Sequence, residues 1–290
     1  MALKYDDTII QNFREHLLQL GYSKSSRYML PRMVNGFMSY CNIIYIEDVI
    51  RQDIQRFYDN LQIMPNKLYG GGLSEVYIYH HIYALKVFFN YLESIGQIKH
   101  NPISIMKFKR PENIKRQPLT QEEITLLFGN TRTLRERAIL HLFYSCGLRR
   151  SEGVNLNIRD IHLKNHLLYV REGKGAKRRV IPITEKVSKD LESYYLQERT
   201  VGKVKDEESF ILNHVGNRQS GVCYNKELKE ILERAGITRP ITLHHLRHSI
   251  ATHLLENGLS VEYVRDFLGH SYLEATQIYV KVNKSQLKNL

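Results

Sequence analysis

The chain has 290 residues, with 42 Lys+Arg against 30 Asp+Glu for a formal net charge of +12, and is 42% hydrophobic and 25% charged. That balance excludes wholesale disorder, and a chain this long buries enough apolar surface to fold without metal or disulfide. No apolar run reaches the roughly 20 residues of a bilayer span, and the opening MALKYDDTII lacks the basic-then-apolar layout of a signal peptide, so a cytoplasmic protein is expected. Cys41, Cys146 and Cys223 are widely separated and lack CxxC spacing, which argues against a disulfide framework or a cysteine zinc site. The surplus positive charge points to a polyanion such as nucleic acid, and hence to a nucleoid-associated location.

Ile9, Phe13, Leu17 and Leu18 recur at helical spacing up to Gly21 and predict a first helix. Ser23 opens a second, with Tyr28, Met29, Met33, Phe37 and Met38 repeating the pattern. Residues 46–61 read as a third, through Val49, Ile50, Ile54 and Phe57, until Pro65 and the glycines at 70–72 interrupt the chain. Residues 73–95 form the longest periodic stretch and offer Val76, Ile82, Leu85, Phe88, Phe89 and Leu92 to a buried face. Core packing accounts for these stripes, and residues 1–104 are expected to form a four-helix domain. Residues 105–118 read as a basic linker. Lys107, Lys109, Arg110, Lys115 and Arg116 face one acid, Glu112, between Pro102 and Pro118, so the segment is either solvated or laid on phosphates.

Residues 119–290 form the second domain. Helices are expected over 121–128 and 134–146. Strands then appear at 167–170 and 180–183, flanking Gly173-Lys174-Gly175 as a β-hairpin with a basic tip. Thr242 is placed to cap a helix running to Glu256, Ser260 to cap another ending at Gly269, and 274–282 is a last amphipathic segment. The expected fold is mainly α with a small antiparallel β-hairpin or sheet: an N-terminal helical domain and a C-terminal α+β domain.

Chemistry concentrates in the second half. His244 and Arg247 lie three apart at the start of one helix, where backbone N–H groups also favour an anion. Arg149 follows the helix end at Cys146-Gly147, and its planar fork suits two phosphate oxygens. Lys174, at the hairpin tip, can deliver a proton to a leaving oxygen if nearby cations lower its pKa. His270 follows Gly269, and Tyr279 lies within reach of the same pocket if the intervening segment turns back. Each has a plainer reading as a solvated cation, a structural histidine or one of nineteen tyrosines. His244, His245, His248 and His253 also suggest zinc, but the pair at i and i+4 lacks an intervening carboxylate or a third ligand.

The combination is more specific than its parts. GLRRSEGVNL at 147–156, GKGAKRRVIPI at 173–183, HHLRHSIATHLL at 244–255 and LGHSYLEATQIY at 268–279 resemble, in order and spacing, the motifs of the tyrosine recombinases, the phage integrase family. The chain looks like a compact Xer-type member, with the catalytic resemblance running from about Leu119 to Tyr279. The N-terminal domain resembles a core-binding, SAM-like DNA-binding domain through its length, its four helices and the Asn101-Pro102 exit.

The resemblance implies six catalytic residues: Arg149, Lys174, His244, Arg247, His270 and Tyr279, with Glu152 bracing Arg149. Tyr279 would be the nucleophile, the arginines and histidines would stabilise the transition state, and Lys174 would protonate the leaving 5′-oxygen. No cofactor, metal or ATP is implied. The expected partner is duplex DNA with an inverted-repeat core site, acted on by a homotetramer, or a heterotetramer with a paralogue, on two duplexes. Arg150 stands where the family usually has an aliphatic residue, and Ile250 where Phe is common; Arg150 is expected to add DNA affinity or repack the helix start. The short tail after Tyr279 suggests reduced docking onto a neighbouring subunit, and the absence of an earlier arm-binding domain favours simple core sites. Resolving chromosome dimers, moving an element and inverting a segment all fit. The alternative activities are DNA relaxation of the type IB topoisomerase kind and non-catalytic DNA binding.

Overall fold

The computed structural model describes residues 3–66, 70–112, 117–171 and 178–269. The chain divides into two compact units, Met1–Ile114 and Lys115–Leu290.

The first unit contains α1 (Asp7–Gln19), α2 (Lys24–Cys41), α3 (Arg51–Ile63) and α4 (Glu75–Ser94). Asp6, Ser23 and Ser74 cap α1, α2 and α4 by accepting from the backbone N–H three residues on. Their apolar faces meet in a core of Phe13, Leu17, Phe37, Ile54, Leu85, Phe88, Phe89 and Leu92. Ile78, Ile82, Leu85, Phe89 and Leu92 form the buried stripe of α4.

Four apolar residues expected in this core are instead exposed, Ile50 at 53% among them. Val76 is 50% exposed, because it sits two residues before Ile78, about 200° away around the helix. Tyr28 and Leu18 are out of register with their helices' buried faces for the same reason, at 60% and 55% exposure. The expected helix over 46–61 is also broken. A short 3₁₀ turn spans Ile46–Asp48, and α3 starts only at Arg51. The Asp53 carboxylate accepts from the Ile50 N–H at 3.0 Å and fixes Ile50 in an extended conformation before the first turn.

Buried Asn101 directs the chain out of α4: its amide donates to Asn90 at 2.8 Å and its oxygen accepts from Ile103 N at 3.2 Å. Beyond it, Met106 and Phe108 still pack on the helical core. Lys107 and Arg110 are exposed, while Lys109 pairs with Glu75 at 3.0 Å. Lys115 and Arg116 lie outside the described residues.

The second unit starts with α5 (Gln121–Gly129), capped by Thr120, and α6 (Leu134–Leu140). The helix expected over 134–146 is not α-helical to its end, since His141–Ser145 widens into a π-helical turn. There the His141 ring bridges Ser145 Oγ at 3.0 Å and Asp190 at 2.8 Å. The turn closes at Gly147, whose φ of 57° suits glycine; a Cβ there would meet Leu268 Cδ2 at 2.8 Å. Next come α7 (Arg150–Val154) and a three-stranded antiparallel sheet of β1 (Ile161–His162), β2 (Leu167–Val170) and β3 (Arg179–Pro182), in that order.

Leu168 pairs with Ile181 and both are buried, so the hairpin has the expected alternation, with β3 starting one residue earlier than its apolar pattern suggests. The two-residue β1 is too short to show a period. α8 (Glu185–Tyr194), α9 (Gly221–Arg234), α10 (Leu243–Glu256) and α11 (Val261–Leu268) complete the unit. α10 and α11 match the spans expected from Thr242, Ser260 and Gly269. The segment 274–282 lies outside the described residues.

α10 also anchors the start of this unit. Ser249 Oγ accepts from Leu119 N at 2.8 Å, and His253 Nε2 lies 2.9 Å from Leu119 O. A carbonyl only accepts, so His253 is protonated at Nε2 and its Nδ1 accepts from the Tyr144 hydroxyl at 2.9 Å. Burial holds the pKa of His253 below its ordinary value. His253, one of the four histidines that suggested zinc, is thus a structural bridge. His245 caps α10, its Nδ1 accepting from Thr242 N at 3.1 Å.

Candidate active site

The site begins at the turn of Gly147, which releases the chain from the π-helical stretch and presents Arg149 just before α7. Three residues later Glu152 is 4% exposed, and its carboxylate closes the start of α7 by accepting from Arg149 N at 2.8 Å. The same carboxylate accepts from Arg149 Nη1 at 2.7 Å and from Arg179 Nη1 and Nη2 at 3.0 and 2.8 Å. Arg247, 3% exposed on α10, approaches it to 3.9 Å. Burial by itself would raise the pKa of Glu152; the hydrogen-bonded Arg179 and then Arg149 outweigh it and hold the value at about 2. Glu152 is therefore ionised throughout the neutral range.

The same three guanidiniums grip a second negative pole. The carbonyls that end α11 point at them: Phe267 O accepts from Arg179 Nε at 2.9 Å, Leu268 O from Arg247 Nη2 at 2.6 Å, and Gly269 O from Arg149 Nη2 at 2.8 Å. A helix C-terminus carries unsatisfied carbonyls and partial negative charge, so cations there are favoured. Arg247 Nη1 also donates to Gly147 O. Four segments far apart in sequence are thereby fixed around one carboxylate.

Beside this cluster lies a cleft of about 500 Å³, lined by Arg149, Arg150, Asn225, Thr242, His244 and Arg247 among others. Arg149, His244 and Arg247, three of the six residues singled out in the sequence, are therefore brought to one cleft. Lys174, His270 and Tyr279 lie outside the described residues. Among the described residues no group of three or more His, Cys, Asp and Glu is gathered so as to hold a metal ion. The cleft offers fixed hydrogen-bond donors of positive charge, with the exposed His244 ring at its edge, which suits a phosphate with developing negative charge.

Arg179 was not singled out from the sequence. Its signal was present but faint: it stands two residues before the buried Ile181, so strand alternation puts it on the inward face. The carbonyl clamp on α11 had no signal, because backbone acceptors look alike in every sequence.

The phage integrase family model matches residues 117–286. The chain belongs to the phage integrase family. Tyrosine recombinase XerD of Listeria monocytogenes serotype 4b (strain F2365) is 35% identical over 229 residues, 76% of each chain. Tyrosine recombinase XerC 2 of Ralstonia nicotianae is 31% identical over 283 residues, covering 94% of this chain and 81% of that protein. Among solved structures, XerA recombinase is 28% identical with a TM-score of 0.54, covering 97% of this chain and 95% of its own. A lambda integrase dimer bound to a COC′ core site shares the fold, with a TM-score of 0.72 at 16% identity over 99% of this chain and all of its own. The family expected from the four motifs is thus the right one, and so is the mainly helical fold with its small antiparallel sheet. Site-specific DNA recombination of the tyrosine type is the enzyme class that comes with membership of the phage integrase family. Among the described residues no helix is long and apolar enough to cross a membrane.

Proposed function

We propose that this family member cuts and rejoins duplex DNA at an inverted-repeat core site through a 3′-phosphotyrosyl link to Tyr279. The observation that carries this reading is the convergence of Arg149 and Arg247 on one cleft with His244, held from behind by Glu152 and Arg179. Each arginine already spends donors on Glu152 or on a carbonyl, so its plane is fixed before a phosphate arrives. Fixed donors need little reorganisation as charge develops, which is where such a site lowers a barrier.

In the proposed step the Tyr279 oxygen attacks phosphorus and its proton passes to a base, for which His244 is the candidate. The P–O bond to the 5′-oxygen breaks, and Lys174 gives that oxygen a proton. Arg149, Arg247, His244 and His270 stabilise the non-bridging oxygens. The phosphotyrosyl link keeps the bond energy, so a 5′-hydroxyl from a partner duplex reverses the step without ATP or a metal ion. Recombinases of this fold solved with DNA, such as XerH bound to its difH substrate, at 22% identity and a TM-score of 0.65, support duplex DNA as the partner. Exchange between two duplexes calls for four protomers, either identical or mixed with a paralogue. Lys107, Arg110 and the neighbouring Lys115 and Arg116 would add phosphate contacts, with Lys109 first released from Glu75.

Covalent trapping on DNA flanking the chain's own gene tests the reading. The unaltered protein should leave an adduct that survives denaturation, and Tyr279→Phe should bind the same DNA without forming one. An adduct with Tyr279→Phe overturns the assignment. Relaxation of plasmids that carry no core site would instead favour the topoisomerase-like activity.

A further inference from the structure

Arg150 differs from its neighbours in the cleft. Arg149 and Arg247 are bound to Glu152 and to carbonyls, whereas among the described residues the Arg150 side chain has no carboxylate partner and makes no hydrogen bond. Its stem is nevertheless seated rather than loose. It lies on the backbone of α9 at Gly221, where a Cβ would stand 3.0 Å from Arg150 Cδ and 3.2 Å from Cγ and Nε. Glycine at 221 leaves room for this contact: a Cβ there would require the stem to give by a few tenths of an ångström. A long cation whose stem is already packed loses less rotamer freedom on binding an anion than one that swings free in water.

The same side of the cleft carries Asn225, one turn further along α9, whose amide oxygen is buried without a partner among the described residues. No hydrogen bond to that oxygen locks the amide. With the oxygen as the buried end of the amide, its NH2 group is the end left accessible on this residue of the cleft lining.

We infer that Arg150, seated on Gly221 and accompanied by Asn225, forms a second phosphate subsite on the α9 side of the cleft. Its ligand is a backbone phosphate next to the one held by Arg149, His244 and Arg247. The inference rests on the reading of this cleft as the DNA cleavage site and adds a contact that positions the strand without taking part in the chemistry. Arg150 is thus a positioning residue.

Ethylation interference on the same flanking duplex tests it, because it maps phosphate contacts whether or not the DNA is cut. With the unaltered protein, ethylation of a phosphate adjacent to the cleaved one should block binding; with Arg150→Ala that position should become silent while the others remain. The slope of log K against log salt should become shallower by about 0.9, the value of one phosphate contact on duplex DNA. Gly221→Ala, which shifts the stem slightly, should weaken the Arg150-dependent interference in the Arg150 protein and have no further effect in the Arg150→Ala protein. Arg150→Ala with an unchanged interference pattern and salt slope overturns the subsite. Equal loss from Gly221→Ala in both backgrounds, with helicity retained, overturns the seat. If the Arg150-dependent phosphate is found but no covalent adduct forms on any duplex, the phosphotyrosyl reading falls and the subsite stands. An adduct that forms with no Arg150-dependent phosphate beside it overturns the subsite and leaves the phosphotyrosyl reading in place.

Discussion

The two units bury different things. The first holds its core with rings packed edge to face, Phe13 on Phe88 at 5.2 Å, Phe37 on Phe57 at 5.3 Å and Phe88 on Phe89 at 5.4 Å. Its buried polar residues among those described are Asp53 and Asn101, and each shapes a chain entry or exit. The second unit buries Glu136, His141, Glu152, Asp160, Arg199, Arg247 and His253. Nearly all are tied to partners, such as Glu136 to Arg234 at 2.6 Å and Arg199 to Ser209 O at 3.0 Å. Burying charge costs more desolvation than a well-packed apolar pair, so this pattern is a poor way to gain stability. It is a good way to fix cations in place. The first unit behaves as a packed body, and the second spends stability on orientation.

The sharpest way to break that contrast is to remove the shared carboxylate. Glu152→Leu should destabilise the second unit by about 3–5 kcal/mol, since it leaves buried guanidiniums without their anion. Urea unfolding followed by hydrogen exchange in α7 and β3 measures it, and a cost below about 1 kcal/mol would erase the distinction between the units.

Acid titration gives the next largest effect. The Glu152 carboxyl falls from its ordinary 4.5 to about 2 in the folded chain, worth roughly 3 kcal/mol. The unfolded chain takes up this proton first, so the contribution is complete above pH 4.5 and is lost as pH falls towards 2. The same exchange measurement at stepped pH should show it, and Glu152→Leu should flatten the curve in that window.

His253→Leu should cost about 1–3 kcal/mol, because Leu119 O and the Tyr144 hydroxyl lose a buried partner. The lowered pKa of His253 also predicts stability falling as pH drops below 6.5, an effect that the variant should lack in a thermal melt.

Phe88→Leu, an apolar swap in the first unit, should cost more than a surface change but much less than Glu152→Leu, at about 1–2 kcal/mol by urea unfolding. A penalty as large as that of Glu152→Leu would show that the ring packing is as exacting as the charge cluster. Val76→Thr, on the exposed side of α4, should stay within about 0.5 kcal/mol in the same assay.

Much of the molecule was legible because its signals are local. The buried faces around Phe13, Phe37 and Phe88 follow from helical period, and α10 and α11 from Thr242, Ser260 and Gly269. The two interrupted helices fall where a distant or polar contact overrode the period. Asp53 held Ile50 extended and divided one expected helix, and His141, bridged to Ser145 and Asp190, lies where another widens into a π turn. Val76 shows the limit of counting apolar residues without tracking the angle between them. For the site, residue type and order were enough to select Arg149, His244 and Arg247, but not Arg179, whose strand position speaks only once Ile181 is known to be inside.

The sequence by itself determined the family, the period of most helices and the identity of the cationic groups that line the cleft, because side-chain chemistry and spacing are written along the chain. Tertiary structure alone decided that Glu152 is shared by three guanidiniums, that the end carbonyls of α11 clamp them from the other side, and that the Arg150 stem packs against Gly221. Those contacts join residues up to 120 positions apart, as between Arg149 and Gly269. Their energies depend on burial and direction, which exist only after the chain has folded.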